Sequence, residues 1–229
     1  MSKKLVRKIA LGTAGAILAT TVLPSLSFAS QSPSSSAIEA NVISNANEVP
    51  VKQYVDVLQP YVHTNKQDGT LYIDPTYKQN VQVPEAVIES INAWFNVVNE
   101  DIKSGDAIVN SNLEVVYTGN NPSNVKPQVV KGGVNDFRTF WWGYELWMDH
   151  GTVQEVSNAM AIGASITKLV EIILKRVPGI PGKLLPILVE ISTWIQGTGY
   201  VFLRTTDNGN GVYITFAYPV HPTRIDPQY

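Results

Sequence analysis

The sequence predicts an α+β protein: a small sheet carrying a long antiparallel helical hairpin, in the order strand, helix, helix, strand. Three observations predict it. Phe137 to Met148 is dense in aromatic residues, Thr152 to Thr206 holds two long apolar stripes separated by a Pro-Gly reversal, and Val212 to Phe216 is a short β-branched and aromatic run behind a Gly-rich turn. Helices that bury one stripe need a sheet or other helices to bury it against.

From the beginning of the chain, Lys3, Lys4, Arg7 and Lys8 precede an uncharged apolar stretch, Ile9 to Leu23. Pro24 ends that stretch, and Ser27-Phe28-Ala29 offers small residues at the positions a signal peptidase reads. Residues 1–29 are therefore expected to be a cleaved secretory signal peptide, and the protein to be secreted and extracellular. The apolar run is short for a membrane-spanning helix. The chain has no cysteine, which excludes a lipid-anchored cysteine and a disulfide framework. Of 17 basic and 19 acidic residues, four basic ones fall within 1–29; the remainder carries 13 against 19, a net charge of −6 with histidines neutral. Such a surface disfavours a nucleic-acid partner.

Residues 30–50 are rich in Ser, Asn and Ala and read as a flexible leader. The mature domain is expected over 51–229, with a first layer at 51–130 and the strand-helix-helix-strand unit at 131–229. In the first layer, Thr70–Asp74 reads as a short strand after the turn Gln67-Asp68-Gly69. Val87, Ile88, Ile91, Trp94, Phe95, Val98 and Ile102 recur at helical spacing, with Pro84 in the first turn and Gly105 after the last. Leu113–Thr118 reads as another strand, and Gly119-Asn120-Asn121-Pro122-Ser123 as an irregular connection.

In the second unit, Phe137–Met148 reads as one strand, with Phe140, Trp142, Tyr144, Leu146 and Met148 on one face and Trp141, Gly143, Glu145, Trp147 and Asp149 on the other. Thr152 and Glu155 compose a capping box for a helix running to about Val177, with an apolar stripe of Val156, Met160, Gly163, Ile166, Val170, Ile173 and Val177. Pro178 to Gly182 reverses the chain. The polar positions Lys183, Pro186, Glu190, Thr193, Gly197, Tyr200 and Arg204 then keep helical phase across Gly197 and Gly199, which favours one helix ending near Thr206 over a strand at Tyr200–Thr205. Leu184, Leu188, Ile191, Ile195 and Phe202 lie opposite. Asp207 to Gly211 turns the chain into the last strand, expected to lie near Phe137–Met148. Pro219 to Tyr229, with three prolines, is expected to run extended over the surface.

Trp141-Trp142-Gly143-Tyr144, Leu146 ahead of Asp149, the capped helix from Thr152, Asn208-Gly209-Asn210-Gly211-Val212-Tyr213-Ile214 and the closing Ile225-Asp226-Pro227-Gln228 together resemble a group of small exported proteins of Gram-positive bacteria. The resemblance covers about 95 residues from Phe137 onward. It implies architecture and compartment, and it transfers no catalytic residue.

Gly-x-Ser-x-Gly, His-Glu-x-x-His and phosphate-cradling glycine loops are all absent, so the chain is read as non-enzymatic, with no catalytic residue, cofactor or metal ligand assigned. Glu145, Asp149 and His150 make a poor metal set, because on a strand 145 and 149 share a face and 150 points away. Asp207–Gly211 opens like a calcium loop but lacks the glutamate at position twelve. Two functional readings remain. In the first, a membrane-active antagonistic factor, bacteriocin- or toxin-like, uses the hairpin against a target bilayer; Lys168, Glu171 and Glu190 are the central charges that oppose insertion. In the second, a secreted binding protein recognises a wall glycan or surface molecule through the aromatic strand, with Trp141, Glu145 and Trp147 as the platform. Burial of both tryptophans against the rest of the domain is the simpler reading of that strand.

Overall fold

A computed structural model describes residues 51–118 and 132–229. The expected signal peptide, the leader and the connection from Gly119 onward lie outside the described residues.

The first layer is built on apolar spacing. The helix α1, Val51–Leu58, buries Val51, Val55 and Leu58, one per turn. A hairpin of β1 (Val62–Thr64) and β2 (Leu71–Ile73) comes next, then a single turn, α2 (Tyr77–Asn80). The long helix α3, Glu85–Lys103, buries all seven apolar residues that the periodicity selects, and Gly105 closes it at φ +81°. The Asn99 side chain of α3 both donates to Leu71 O (2.9 Å) and accepts from Leu71 N (2.7 Å), fastening β2 to the helix. A second hairpin, β3 (Ala107–Val109) with β4 (Val115–Tyr117), completes the layer.

The second unit is a four-stranded antiparallel sheet in sequential order: β5 (Asp136–Phe140), β6 (Gly143–Met148), β7 (Val212–Ala217) and β8 (His221–Pro227). Phe137–Met148 is thus two strands rather than one, joined by a tight turn at Trp141-Trp142. The turn is enforced from both sides. Trp141 and Trp142 are buried, and a Cβ at Gly143 would stand 2.1 Å from Phe216 O, so only glycine lets β6 meet β7 there. Pairing of β6 with β7 puts Phe137–Met148 beside Val212–Phe216, as expected. The inner face carries Tyr144, Leu146 and Met148 of β6 and Val212, Ile214 and Phe216 of β7, all essentially inaccessible. Trp94 of α3 reaches this core, stacking on Tyr218, meeting Tyr144 edge-on and donating Nε1–H to Phe140 O (2.8 Å).

The C-terminal segment is a strand rather than a surface tail. β8 is an edge, where prolines 222 and 227 need no interior ladder donor. Gln228 is 3% exposed; its Nε2 donates to Val134 O, Met148 O and Val212 O, each at 3.0 Å, and its Oε1 accepts from Val134 N at 2.8 Å.

Between β6 and β7 lie four helices. The first arm is interrupted: α4 (His150–Ala161) and α5 (Ile166–Arg176) replace the single helix expected over Thr152–Val177. Gly163, at φ +76°, ends α4 with bonds from Gly163 N to Met160 O and from Ala164 N to Ala159 O, the crossed pair of a left-handed helix exit, and Ser165 caps the next helix through Lys168 N. After the break Ile173 and Val177 of the expected stripe stay buried, Ile166 and Val170 are only half-buried, and Leu169 and Ile172 turn inward beside them. The α4 cap is Asp149, not Thr152: Asp149 Oδ1 accepts from Thr152 N at 2.6 Å, while Asn135 holds its other oxygen at 2.8 Å. Thr152 is fully buried, and Glu155 pairs with Arg176 of α5.

The second arm is helical without interruption through both glycines, as α6 (Leu185–Trp194), a π-turn (Ile195–Gly199) and α7 (Tyr200–Thr206). The π-turn adds one residue to the helical count. Beyond it Leu203 takes the core position expected of Phe202, which is only half-buried. Trp194 meets Phe216 edge-on at 5.7 Å and joins this arm to the sheet. α4 packs on α5 and α7, and α5 on α6.

Candidate functional site

Two surfaces hold the residues that the sequence singles out. The first is the outside of the helical layer. Lys168 and Glu171 of α5 form an exposed ion pair (3.0 Å), one turn apart, and Glu190 of α6 is exposed. All three are exposed to water, and after burial the nearby Glu190 carboxylate helps to raise the hydroxyl pKa of Tyr144 in β6. Beside them the second arm shows solvent a ridge without charge: Leu185, Val189, Thr193, Gly197 and Val201, at intervals of four. Leu185, Val189 and Val201 are 40%, 44% and 48% exposed. Thr193 Oγ donates to Val189 O (2.8 Å) and Thr205 Oγ to Val201 O (3.1 Å), so both hydroxyls are tied to their own helix and the methyls face out. Ile162, at the break between α4 and α5, is also exposed. Among the described residues no helix is long and apolar enough to cross a membrane. With 12 and 11 residues, α4 and α5 extend only about 18 and 16 Å each.

Within the helical layer, three buried hydroxyls have no hydrogen-bond partner among the described residues: Thr152 and Ser157 of α4 and Ser192 of α6. A buried polar group left so costs about 1–3 kcal/mol. The layer is also tied at its ends. His150 Nδ1, at the start of α4, lies 2.6 Å from Asp207 Oδ2, just past α7, and Asp207 Oδ1 accepts from Gly209 N and Gly211 N. That carboxylate is committed to the turn.

The second surface is the outer face of the sheet. Glu145 and Trp147 share it, but Trp141 does not: it sits in the β5–β6 turn at 2% exposure. The neighbouring strands supply the partners that a single segment cannot show. Arg138 of β5 stacks on Trp147 with its guanidinium 4.7 Å from the ring centroid, and Tyr213 of β7 stacks on it at 4.6 Å and 15°. Because β5 and β7 flank β6 on opposite sides, both faces of the indole are occupied. Trp147 Nε1 donates to Glu145 (3.1 Å), Arg138 pairs with Asp136 (2.8 Å) and Arg224 with Asp226. Burial, then the hydrogen bond to Asp226, raises the Tyr213 hydroxyl above its ordinary pKa. Lys52 of α1 stands over Trp142 (3.9 Å) beside Glu145 and Arg224, and burial lowers its pKa. This face is a self-satisfied ladder with no free aromatic plane at Trp147.

Among the described residues no group of three His, Asp or Glu side chains is placed to hold a metal ion. An open cleft of about 540 Å³ lies between α1, α2 and the start of α3, lined by Tyr54, Tyr77, Lys78 and Gln82 among others. No family model matches the chain, and no curated protein or solved structure matches it.

Proposed function

We propose that the chain is an exported, non-enzymatic factor, bacteriocin- or toxin-like in its mode, whose helical layer acts on a target bilayer. The observation that carries this reading is the exposed uncharged ridge of the α6–α7 arm, Leu185 to Val201, on a helical run of 22 residues. Among the described residues the helices are too short or too polar to span, so the action proposed for them is interfacial: apolar side chains enter the headgroup boundary while Lys168, Glu171 and Glu190 stay at the aqueous side. The unpartnered hydroxyls of Thr152, Ser157 and Ser192 lower the cost of lifting the layer from the sheet. The alternative, a glycan platform at Trp141, Glu145 and Trp147, is disfavoured by the burial of Trp141 and the stacking on both sides of Trp147.

The test is dye release from liposomes by purified protein. Val189→Asp and Val201→Asp, both at exposed positions, are expected to keep the fold and to reduce release about tenfold, the effect of about 1.4 kcal/mol. Glu190→Gln is expected to increase it. Absence of release by the native chain at every lipid composition would rule the reading out.

A further inference from the structure

The charge of the chain is unevenly distributed. Residues 172–206 hold four cations, Lys175, Arg176, Lys183 and Arg204, against one carboxylate, Glu190, in a chain that is acidic overall. Three of those cations cluster where α5 turns into α6, and the stretch from Ile172 to Val189 has no acidic residue. The same bend exposes Leu174 and Leu185, each 40% accessible, with Val189 one turn on. Lys175 and Arg176 end α5, where cations suit the helix dipole.

In the folded chain this basic bend is masked by carboxylates from other elements. Arg176 Nη2 lies 2.6 Å from Glu155 of α4. Lys183 Nζ lies 2.8 Å from Asp101, at the end of α3, and 2.5 Å from Asp106, just before β3. Among the described residues, these last two are the side-chain hydrogen bonds that join the helical layer to the first layer. Asp101 also accepts from Tyr117 (3.2 Å), and Asp106 from Ser104 (2.5 Å). Lys175 has no ion-pair partner among the described residues. Two of the clustered cations are thus covered by carboxylates, and one is not.

We infer that the bend between α5 and α6 is the docking tip for an anionic lipid bilayer, with Leu174, Leu185 and Val189 as its apolar contacts and Arg176 and Lys183 as cations that exchange Glu155, Asp101 and Asp106 for lipid phosphates. The pairs to Glu155 and Asp106 are open to water, and such pairs are weak and exchange readily; Asp101 is buried and keeps the Tyr117 hydroxyl as a partner when Lys183 leaves. A phosphate surface attracts each basic side chain brought near it. Exchange at Lys183 also removes its polar tie to the first layer, so docking and loosening of the arm are one event. This deepens the proposed bilayer activity and rests on it for purpose, but not for its test.

The test is flotation of the full exported chain with vesicles of phosphatidylcholine alone or mixed with phosphatidylglycerol. Native protein is expected to float with the mixed vesicles and not with phosphatidylcholine alone. Glu155→Gln with Asp106→Asn, which frees Arg176 and leaves Lys183 only its Asp101 partner, is expected to raise that partitioning about fivefold or more. Leu185→Ser and Lys175→Glu, both at exposed positions, are expected to lower it, with unchanged circular dichroism. The inference is overturned if the partly unmasked variant partitions no better than the native chain, if the bend variants bind like it, or if neither native nor partly unmasked protein floats with anionic vesicles. Docking without dye release sinks the proposed function and leaves the tip. Dye release that is indifferent to the bend variants sinks the tip and leaves the function.

Discussion

The indole of Trp194 lies across the backbone of Gly199, five residues further along the helix, so closely that a Cβ at 199 would stand 2.6 Å from its Cζ3. The contact spans the π-turn, and it explains why one of two neighbouring glycines is needed. Gly199→Ala is expected to destabilise the protein by about 1–3 kcal/mol, because the indole is pinned against Phe216 and has little room to retreat. Gly197 has open space at its Cβ position, and Gly197→Ala is expected to stabilise by about 0.5–1 kcal/mol. Denaturant titration of the two variants checks the opposite signs.

The buried hydroxyl of Ser192 gives a second expectation. Ser192→Ala removes an unpartnered polar atom at almost constant shape, and should raise stability by about 1 kcal/mol. If the layer has to lift to act, the same variant releases less dye than the native chain. A melting curve and a leakage assay on one preparation read both effects.

Stability should depend on pH through the Lys183 clasp. The hydrogen bond from Lys183, then that from Ser104, holds the Asp106 carboxyl below its ordinary value of 3.8. A depressed carboxyl binds its proton less readily folded than unfolded, so its stabilisation is complete above that ordinary value and disappears as pH falls through the lower folded one. Lys183 is shifted the other way, above 10.5, by its bonds to Asp101 and then Asp106; its contribution is complete below 10.5 and disappears as pH rises through the folded value. Asp106→Asn is therefore expected to melt below the native chain near pH 7. The two should converge once pH falls below the folded value of Asp106, where both lack the charge. Parallel curves down to that value would count against the clasp.

Trp147→Ala separates structure from recognition on the outer sheet face. Loss of the Arg138 and Tyr213 stacks should cost about 1–3 kcal/mol. Pull-down by isolated cell wall should be no weaker than for the native chain. A wall interaction that disappears in a still-folded variant would restore the glycan reading.

The helix α3 is legible in the sequence because every signal agrees: Pro84 at its start, Gly105 at its end and an apolar period in between. The Trp141-Trp142 turn is not, because its residues have strand propensity and the cause of the turn, the close approach of Gly143 to Phe216, lies 73 residues away. Thr152 and Glu155 fit a capping box, but the carboxylate of Asp149 is already oriented by Asn135 and sits one turn earlier. Gly163 carries the break in the first arm; a glycine on an apolar stripe reads as a packing contact until its positive φ is seen. For the outer face, alternation along one strand puts Glu145 and Trp147 together correctly. It misses Arg138 and Tyr213, because cross-strand register is a property of pairs of segments, and Lys52, which reaches Trp142 from the helix α1.

The π-turn has a bearing on chain length. Counted along the axis, Ile195–Gly199 holds one residue more than an α-helix of the same rise requires. A chain with one residue fewer here, at Thr198 for instance, would close into an ordinary helix and still point Leu203 at the core. The interior of this arm is thus a place where related sequences can differ by a single insertion without disturbing α7 or β7. A gap there in a comparison of relatives would mark a change of helical pitch rather than a loop.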